Sequence, residues 1–388
     1  MVHNYYRESG GEDQSFRAEV ELLRAHGHTV NVYTRDNQDI NENGIFQKIQ
    51  LARRTVWAED TLQELGEMLS NDKPDVAHFQ NTFPLISPSA YSACRQAGVP
   101  VIQSLRNYRL LCPNALFYRS ARPCEDCLGK TVPWPGVLHK CYRGSRSQSA
   151  VVTGMLAYHN LIGTWYSKVD AYIALSEFSR AKFIEGGLPS NKIHVKPNFV
   201  SDPGGDFARD DYAVFVGRLS VEKGLDTLLD AWRGIKDIPL KIIGMGPMHG
   251  AIAERLEREN LDNITLSGQL SHADTMEVVG HARLLVFPSE WYETFGRVIV
   301  EAYSAGVPVV ASRLGAAAAL VRDGETGLLF TPGDSTDLAN KVESVWNYPE
   351  GLARMGWSAR LEYEQKYTPE GNYSLLIDIY EKAIGGGS

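Results

Sequence analysis

Ser289-Glu290-Trp291-Tyr292-Glu293-Thr294-Phe295-Gly296-Arg297-Val298-Ile299-Val300-Glu301-Ala302-Tyr303-Ser304-Ala305-Gly306 follows the short apolar run from Leu284 to Phe287. The pattern predicts a strand, a turn and a helix opening near Thr294 and Phe295. Two carboxylates frame the turn, Glu293 just before the helix and Glu301 two turns inside it. The first N–H groups of a helix lack intrahelical partners and favour an anion, and Gly296 lets a phosphate or diphosphate approach the backbone. An ionised carboxylate accepts several O–H bonds, so the flanking glutamates suit hydroxyl-rich groups such as a sugar and a ribose. A nucleotide-sugar carries both kinds of group and is the leading ligand on these residues.

Outward from this stretch the chain alternates short β-rich runs with helical ones. Strands are predicted over 75–80, 99–105, 171–174, 193–196, 213–217, 240–244, 264–266, 284–288 and 307–312, and helices over 12–25, 225–235, 249–259 and 274–281. This rhythm predicts doubly wound α/β domains with parallel sheets, whose ligands lie beyond the carboxyl ends of the strands. The first strand has only Met1 to His3 before a polar turn, as if a native start were trimmed. Pro203, Gly204 and Gly205 mark a boundary, after which the rhythm restarts at Tyr212. Two similar domains are therefore expected, 1–200 and 201–368, with parallel sheets facing a cleft. Residues 107–150, rich in Cys, Pro and Arg, read as an irregular insertion. The tail 385–388 reads as an added linker.

A length of 388 residues suits two domains, and 43% hydrophobic with 22% charged residues describes an ordinary globular chain. The 39 basic and 47 acidic residues give a net charge of −8, which argues against sequence-independent nucleic-acid binding. No apolar run approaches the roughly 20 residues of a membrane span. The opening Met1-Val2-His3-Asn4 shows no secretory pattern, so the expectation is cytoplasmic, with reduced or metal-bound cysteines.

Gly217-Arg218-Leu219-Ser220-Val221-Glu222-Lys223-Gly224 also joins a predicted strand to a helix. Arg218 and Lys223 could neutralise the charge growing on a departing nucleoside diphosphate. No convincing Asp-x-Asp pair is present to hold a divalent ion, and two cations plus a helix N-terminus could do the same work. Alone, the two would read as surface charges. Gly10-Gly11-Glu12-Asp13 is a flexible turn into a helix, and Gly244-Met245-Gly246-Pro247 resembles half of a dinucleotide fingerprint.

With these residues in order, the chain resembles a family 4 glycosyltransferase of the GT-B architecture over nearly its whole length. The carrying motifs are Gly10-Gly11-Glu12, Phe215-Val216-Gly217-Arg218-Leu219, Glu222-Lys223-Gly224, Gly244-x-Gly246-Pro247, Glu293-x7-Glu301, Ala305-Gly306-Val307-Pro308-Val309-Val310 and Asp323-Gly324-x-Thr326-Gly327-Leu328. The resemblance implies retaining, metal-independent hexosyl transfer from a nucleotide-sugar, UDP by default with GDP and ADP open. Glu293 would meet the donor sugar's hydroxyls and Glu301 the ribose. Thr294, Phe295, Gly296, Arg297 and Val298 would approach sugar and diphosphate beside Gly11, Gly217 and Gly244, with Arg218 and Lys223 on the phosphates. Glu293, Arg218 and Lys223 are the implied catalytic set. A last helix within 369–384 would pack on the first domain. Arg106 stands where many relatives carry His, and Ala319 where they carry Glu. A nucleotide-sugar epimerase, and a sugar- or nucleotide-binding protein that has lost catalysis, remain as alternatives.

The acceptor, whether small molecule, glycan or lipid-linked, is sought near Glu12, Arg106, Asn107, Tyr108 and Arg109. Cys112, Cys124, Cys127 and Cys141 fall within thirty residues, with one Cys-x2-Cys pair. Either a structural zinc ties the insertion or the thiols are simply packed. Lys140, Arg143 and Arg146 precede the apolar-rich stretch 150–165. That stretch is either a core helix with a solvated basic end or a weak peripheral contact with the inner membrane face.

Overall fold

A computed structural model describes residues 1–8, 10–41, 44–205 and 207–386. Gly387 and Ser388 of the terminal tail lie outside the described residues. The chain divides into two compact units, 1–117 with 124–197 and 373–388, and 118–123 with 198–372. The boundary falls between Pro197 and Asn198, and six residues of the expected insertion group with the second unit.

The first unit holds a six-stranded parallel sheet from β1 (Val2–Tyr5), β2 (Tyr33–Asp36), β3 (Ala77–Asn81) and β4 (Val101–Leu105). Residues Tyr118–Arg119 (β5) and Arg122–Pro123 (β6) form a small antiparallel hairpin. The sheet continues with β7 (Ala171–Ala174) and β8 (Ile193–Val195) in the order β2-β1-β3-β4-β7-β8. Strands β3, β4 and β7 are buried throughout, as expected where helices cover both faces of a parallel sheet. Leu376, Ile379, Tyr380 and Ala383 of the last helix (Pro369–Gly385) pack in one cluster with Leu23, Ile102 and Ile173. Tyr380 Oη lies 2.7 Å from His78 Nδ1, and Ser104 Oγ lies 2.8 Å from the other ring nitrogen. Burial depresses the His78 pKa to about 3.

The second unit repeats the plan with β9 (Ala213–Val216), β10 (Leu240–Ile243), β11 (Ile264–Gly268), β12 (Leu284–Phe287), β13 (Val309–Ser312) and β14 (Gly327–Phe330). All pairs are parallel and the order is β11-β10-β9-β12-β13-β14. Strands β9 and β12 are neighbours whose connections leave in opposite directions, one toward β10 and the other toward β13. Their carboxyl ends therefore open a crevice at the switch in strand order, where doubly wound sheets take ligands. Leu228, Leu229 and Trp232 of the helix Leu225–Gly234 cover this sheet with Ile242, Val286 and Val310. The buried indole Nε1–H donates to Ile238 O at 3.0 Å, leaving no unpaired polar atom in the ring.

Candidate functional site

The β9 and β12 loops are locked together at the crevice. Gly224 has φ of 70°, and a Cβ there would stand 1.9 Å from Pro288 O. Only glycine combines that left-handed backbone with so close an approach. Gly244 is similar, with φ of 140° and a Cβ that would meet Gly217 O at 1.9 Å. Leu219 N donates to Met245 O at 3.0 Å, and Met248 N donates to Leu219 O at 2.9 Å. The half-fingerprint glycines thus serve backbone contact between neighbouring loops.

Glu293 is nearly buried, and three groups converge on its Oε1. Lys223 Nζ donates at 2.6 Å, Ser289 Oγ at 2.9 Å and Trp291 Nε1 at 2.9 Å. The lysine also lies 5.3 Å from the Trp291 ring centroid, a cation–π contact. Gly315 presses on the Glu293 backbone, and Ala316 N donates to Glu293 O at 3.3 Å. Ala319 is exposed in the short helix Ala317–Leu320 that follows.

The helix expected near Thr294 begins at Arg297 and runs Arg297–Ser304, with Gly296 before it at φ 99°. Thr294 and Phe295 are buried in its lead-in, and the Phe295 ring stands 6.1 Å from Tyr367. Val298 is half-buried on the first turn. Arg297 Nε donates to Glu301 Oε1 at 2.8 Å, so one carboxylate oxygen is oriented by its own helix. Arg218 is exposed just past β9, beyond Gly217. The crevice therefore presents two oriented carboxylates, a helix N-terminus and cations around one turn.

In the first unit Glu12 lies in the first turn of the helix Gly11–Ala25, which follows β1. Its Oε2 accepts from Tyr6 Oη at 3.0 Å, and its Oε1 accepts from Asn107 Nδ2 at 3.0 Å. Asn107 follows β4, so the structure joins two predicted residues at that sheet edge and adds Tyr6, which sequence reasoning missed. Two other predicted residues turn inward. Tyr108 is fully buried between Phe117 and Phe183. Arg106 is buried in a polar network, its Nη2 3.1 Å from Glu19 Oε2 and its Nε donating to Gln80 Oε1. Lys196 Nζ reaches the other Glu19 oxygen at 2.6 Å. Burial alone would raise the Glu19 pKa, but Lys196 and Arg106 outweigh it and hold the carboxyl at about 2. Arg106 therefore does the work of a core ion pair. Arg109 stacks over Phe83, 4.3 Å from its centroid, and Tyr142, 5.1 Å away.

Of the two readings left open for the cysteines, packed thiols match the described residues. All five cysteines are free thiols, and among the described residues no three His, Cys, Asp or Glu side chains gather as a metal site. Cys112 Sγ donates to Asn114 Oδ1 at 2.9 Å and Cys127 Sγ to Pro133 O at 3.7 Å, so both thiols are committed to loop hydrogen bonds. Burial pushes the Cys127 thiol up to about 12 and raises Cys112 as well, favouring the protonated form. Cys124 and Cys141 are half-buried. No helix of the described residues is long and apolar enough to cross a membrane.

Comparison with known proteins agrees with the two-unit fold. A family model described as "Glycosyl transferase 4-like domain" matches residues 10–198, and one described as "Glycosyl transferases group 1" matches 202–362. Among curated relatives, the O-antigen chain mannosyltransferase C of Escherichia coli is 27% identical over 173 residues, 44% of this chain and 46% of the relative. A 2-deoxystreptamine N-acetyl-D-glucosaminyltransferase of Niallia circulans is 29% identical over 172 residues, 43% of this chain and 44% of the relative. The chain thus spans a little under half the length of these relatives. The Anabaena protein HepE, solved in complex with UDP, superposes with a TM-score of 0.70 at 18% identity, covering 98% of each chain. With two doubly wound units and both family models in sequence, the chain belongs to the family 4 glycosyltransferases of the GT-B fold.

Proposed function

We propose that the chain moves a hexosyl group from a nucleotide-sugar, UDP-linked by default, to a hydroxyl acceptor with retention of anomeric configuration and without a catalytic metal. The observation carrying this reading is Glu293, whose Oε1 is held by Lys223, Ser289 and Trp291 at the β9–β12 crevice. The held carboxylate can accept from sugar hydroxyls, while Glu301, oriented by Arg297, can accept from ribose hydroxyls. The helix start after Gly296, with Lys223 and Arg218, offers positive charge to the diphosphate.

In this reading the acceptor oxygen bonds to the anomeric carbon on the face from which the phosphate leaves. The bond from that carbon to phosphate oxygen breaks, and the leaving oxygen takes the acceptor's proton. A carboxylate oxygen carrying three donors is a poor nucleophile, which favours this path over a covalent adduct on Glu293. The protein then contributes positioning and stabilisation of the leaving group. The acceptor is a small molecule, glycan or lipid-linked sugar handled by the first unit near Glu12 and Asn107, with the work done on the cytoplasmic side.

The test is proton NMR of the glycoside formed from an α-linked UDP-sugar, with and without EDTA. An α-product at unchanged rate in EDTA is expected. A β-product overturns retention, loss of turnover in EDTA overturns metal independence, and donor conversion without any acceptor indicates an epimerase.

A further inference from the structure

The helix Arg297–Ser304 opens at the crevice after Gly296, with no side-chain cap and no acidic residue in its first turn. Its last turn carries no basic residue of its own. A helix leaves its final carbonyls without intrahelical partners, and cations near them offset the partial negative charge of that end. Here those carbonyls can be followed one by one. Glu301 O accepts from Ser304 Oγ at 2.8 Å, Ala302 O from Val307 N at 2.8 Å and Tyr303 O from Gly306 N at 2.9 Å. Ser304 O accepts from Arg360 Nη1. Arg209 Nη2 donates to Ala305 O at 2.6 Å and to Gly306 O at 2.9 Å. Its Nη1 donates to Gly280 O, in the last turn of the neighbouring helix His272–His281.

Both arginines come from far along the chain. Arg209 precedes Ala305 by 96 residues, and Arg360 follows Ser304 by 56. Arg360 also holds Asp202, its Nη1 donating to Oδ1 at 3.0 Å, and its Nε donates to Glu364 Oε1 at 2.7 Å. Val200 N donates to Tyr367 O at 3.1 Å, and Asp210 N donates to His281 O at 2.8 Å. The residues with which the second unit begins are thus fastened at Val200, Asp202, Arg209 and Asp210 to the carboxyl end of the helix and its neighbours. Glycines make the room. Gly306 has φ of 67°, and a Cβ there would stand 3.3 Å from Arg209 Nη2; a Cβ on Gly356 would meet Gly306 O at 2.4 Å.

The helix has eight residues. At about 1.5 Å each it is a rod of about 12 Å, so a tilt of about 5° at its last turn moves its first by about 1 Å. A misplacement of about 1 Å is enough to cost a positioned contact up to about a hundredfold. We propose that Arg209 and Arg360 are positioning residues for the donor diphosphate: they fix the carboxyl end of the helix and so hold its first turn and Glu301 in register with the nucleotide. The inference rests on the donor reading given above. Both arginines act through the helix and not on the ligand. Coupling is reciprocal, so whatever the clasp adds to nucleotide affinity, the nucleotide adds to the clasp, and the amides of Val200 and Asp210 report it.

The test is calorimetric titration of the full chain with UDP, GDP and ADP, followed by hydrogen exchange at Val200 and Asp210 with and without whichever nucleotide binds. The parent is compared with Arg209→Lys, Arg209→Ala and Arg209→Ala/Arg360→Ala. The double variant should bind nucleotide at least about fivefold more weakly, the lower end of ordinary coupling between sites. Nucleotide should slow exchange at the two amides of the parent by a similar factor, and that slowing should vanish in the double variant. Arg209→Lys keeps the cation and should recover part of both effects. Should the double variant fail to fold, Arg209→Ala, at an exposed position, carries the test alone with a threefold limit. A smaller loss of affinity, or parent amides indifferent to nucleotide, overturns the proposal. So does a variant that loses urea stability and keeps its affinity, since the arginines would then cap the helix and nothing more. If no nucleotide binds the parent, the donor reading falls and the inference with it. If Glu301→Ala weakens binding and the arginine variants do not, the donor reading stands and the inference alone falls.

Discussion

Replacing Lys223 by alanine tests the proposed catalytic role of this lysine against a purely structural one. The substitution deletes one of three donors on Glu293 Oε1 and leaves Ser289 Oγ and Trp291 Nε1 in place. A hydrogen bond to a charged group contributes about 1.5–3 kcal/mol to stability. The lysine side chain is 21% exposed against 9% for its partner, so water can replace part of the ammonium's role. A folding loss of about 1–2 kcal/mol is therefore expected. On the proposed function transfer should suffer more, because the same ammonium holds the Glu293 carboxylate and would offset charge on a departing diphosphate. Removing one such preorganised donor costs about a hundredfold to a thousandfold in kcat, or roughly 3–4 kcal/mol. Urea unfolding and initial rates of donor turnover on one preparation measure both quantities. Turnover within threefold of the parent, together with a stability loss above about 3 kcal/mol, would show that Lys223 is a structural brace and would refute the argument.

Glu301→Ala should weaken nucleotide binding by about ten- to a hundredfold, the equivalent of one or two charge-assisted hydrogen bonds to ribose hydroxyls. Calorimetric titration with UDP reads this, and unchanged affinity would remove the ribose assignment. Acid should destabilise the first unit in two stages. His78 is held neutral to about pH 3 against an ordinary value of 6.5, and Glu19 is held ionised to about pH 2 against 4.5. In both cases the unfolded chain takes up its proton first, so stability is full above the ordinary value and is lost as pH falls toward the folded one. Each group contributes a slope of about 1.4 kcal/mol per pH unit within its own window. Urea midpoints followed from pH 7.5 to 4 should fall first through His78 and then more steeply as Glu19 joins; a flat profile would contradict the buried network.

Much of the second unit was legible because its strands are short continuous apolar runs. Ala213–Val216 and Leu284–Phe287 are buried on both faces, and burial on both faces erases polar alternation. Tyr33–Asp36 was missed because it forms an edge strand with one buried residue and a polar sequence. The strand Gly327–Phe330 begins inside the motif Asp323-Gly324-x-Thr326-Gly327-Leu328 and was not among the expected strands. The placing of Glu293 before and Glu301 within one helix was legible from the sequence. Their partners were less so: Lys223 lies 70 residues before Glu293, and the hydrogen bonds of Ser289 and Trp291 depend on how the turn closes. Arg106 misled for the same reason. Its fate is decided by Glu19, 87 residues away, which in turn pairs with Lys196 at a separation of 177. Cysteine spacing likewise says nothing about which way each Sγ turns once the loop has folded.

The packing of Leu376, Ile379, Tyr380 and Ala383 against Ile102 and Ile173 has a consequence for biosynthesis. Residues of the first sheet leave the ribosome early, but one of their covering layers is encoded after the whole second unit. Until the final helix emerges, Ile102 and Ile173 lack those apolar neighbours and His78 lacks the Tyr380 hydroxyl. The second unit, whose core runs from Ala213 to Met355, can assemble before the first is complete. The unit made first is thus completed after the second, and a nascent chain stopped short of the helix Pro369–Gly385 leaves it open to proteases and chaperones.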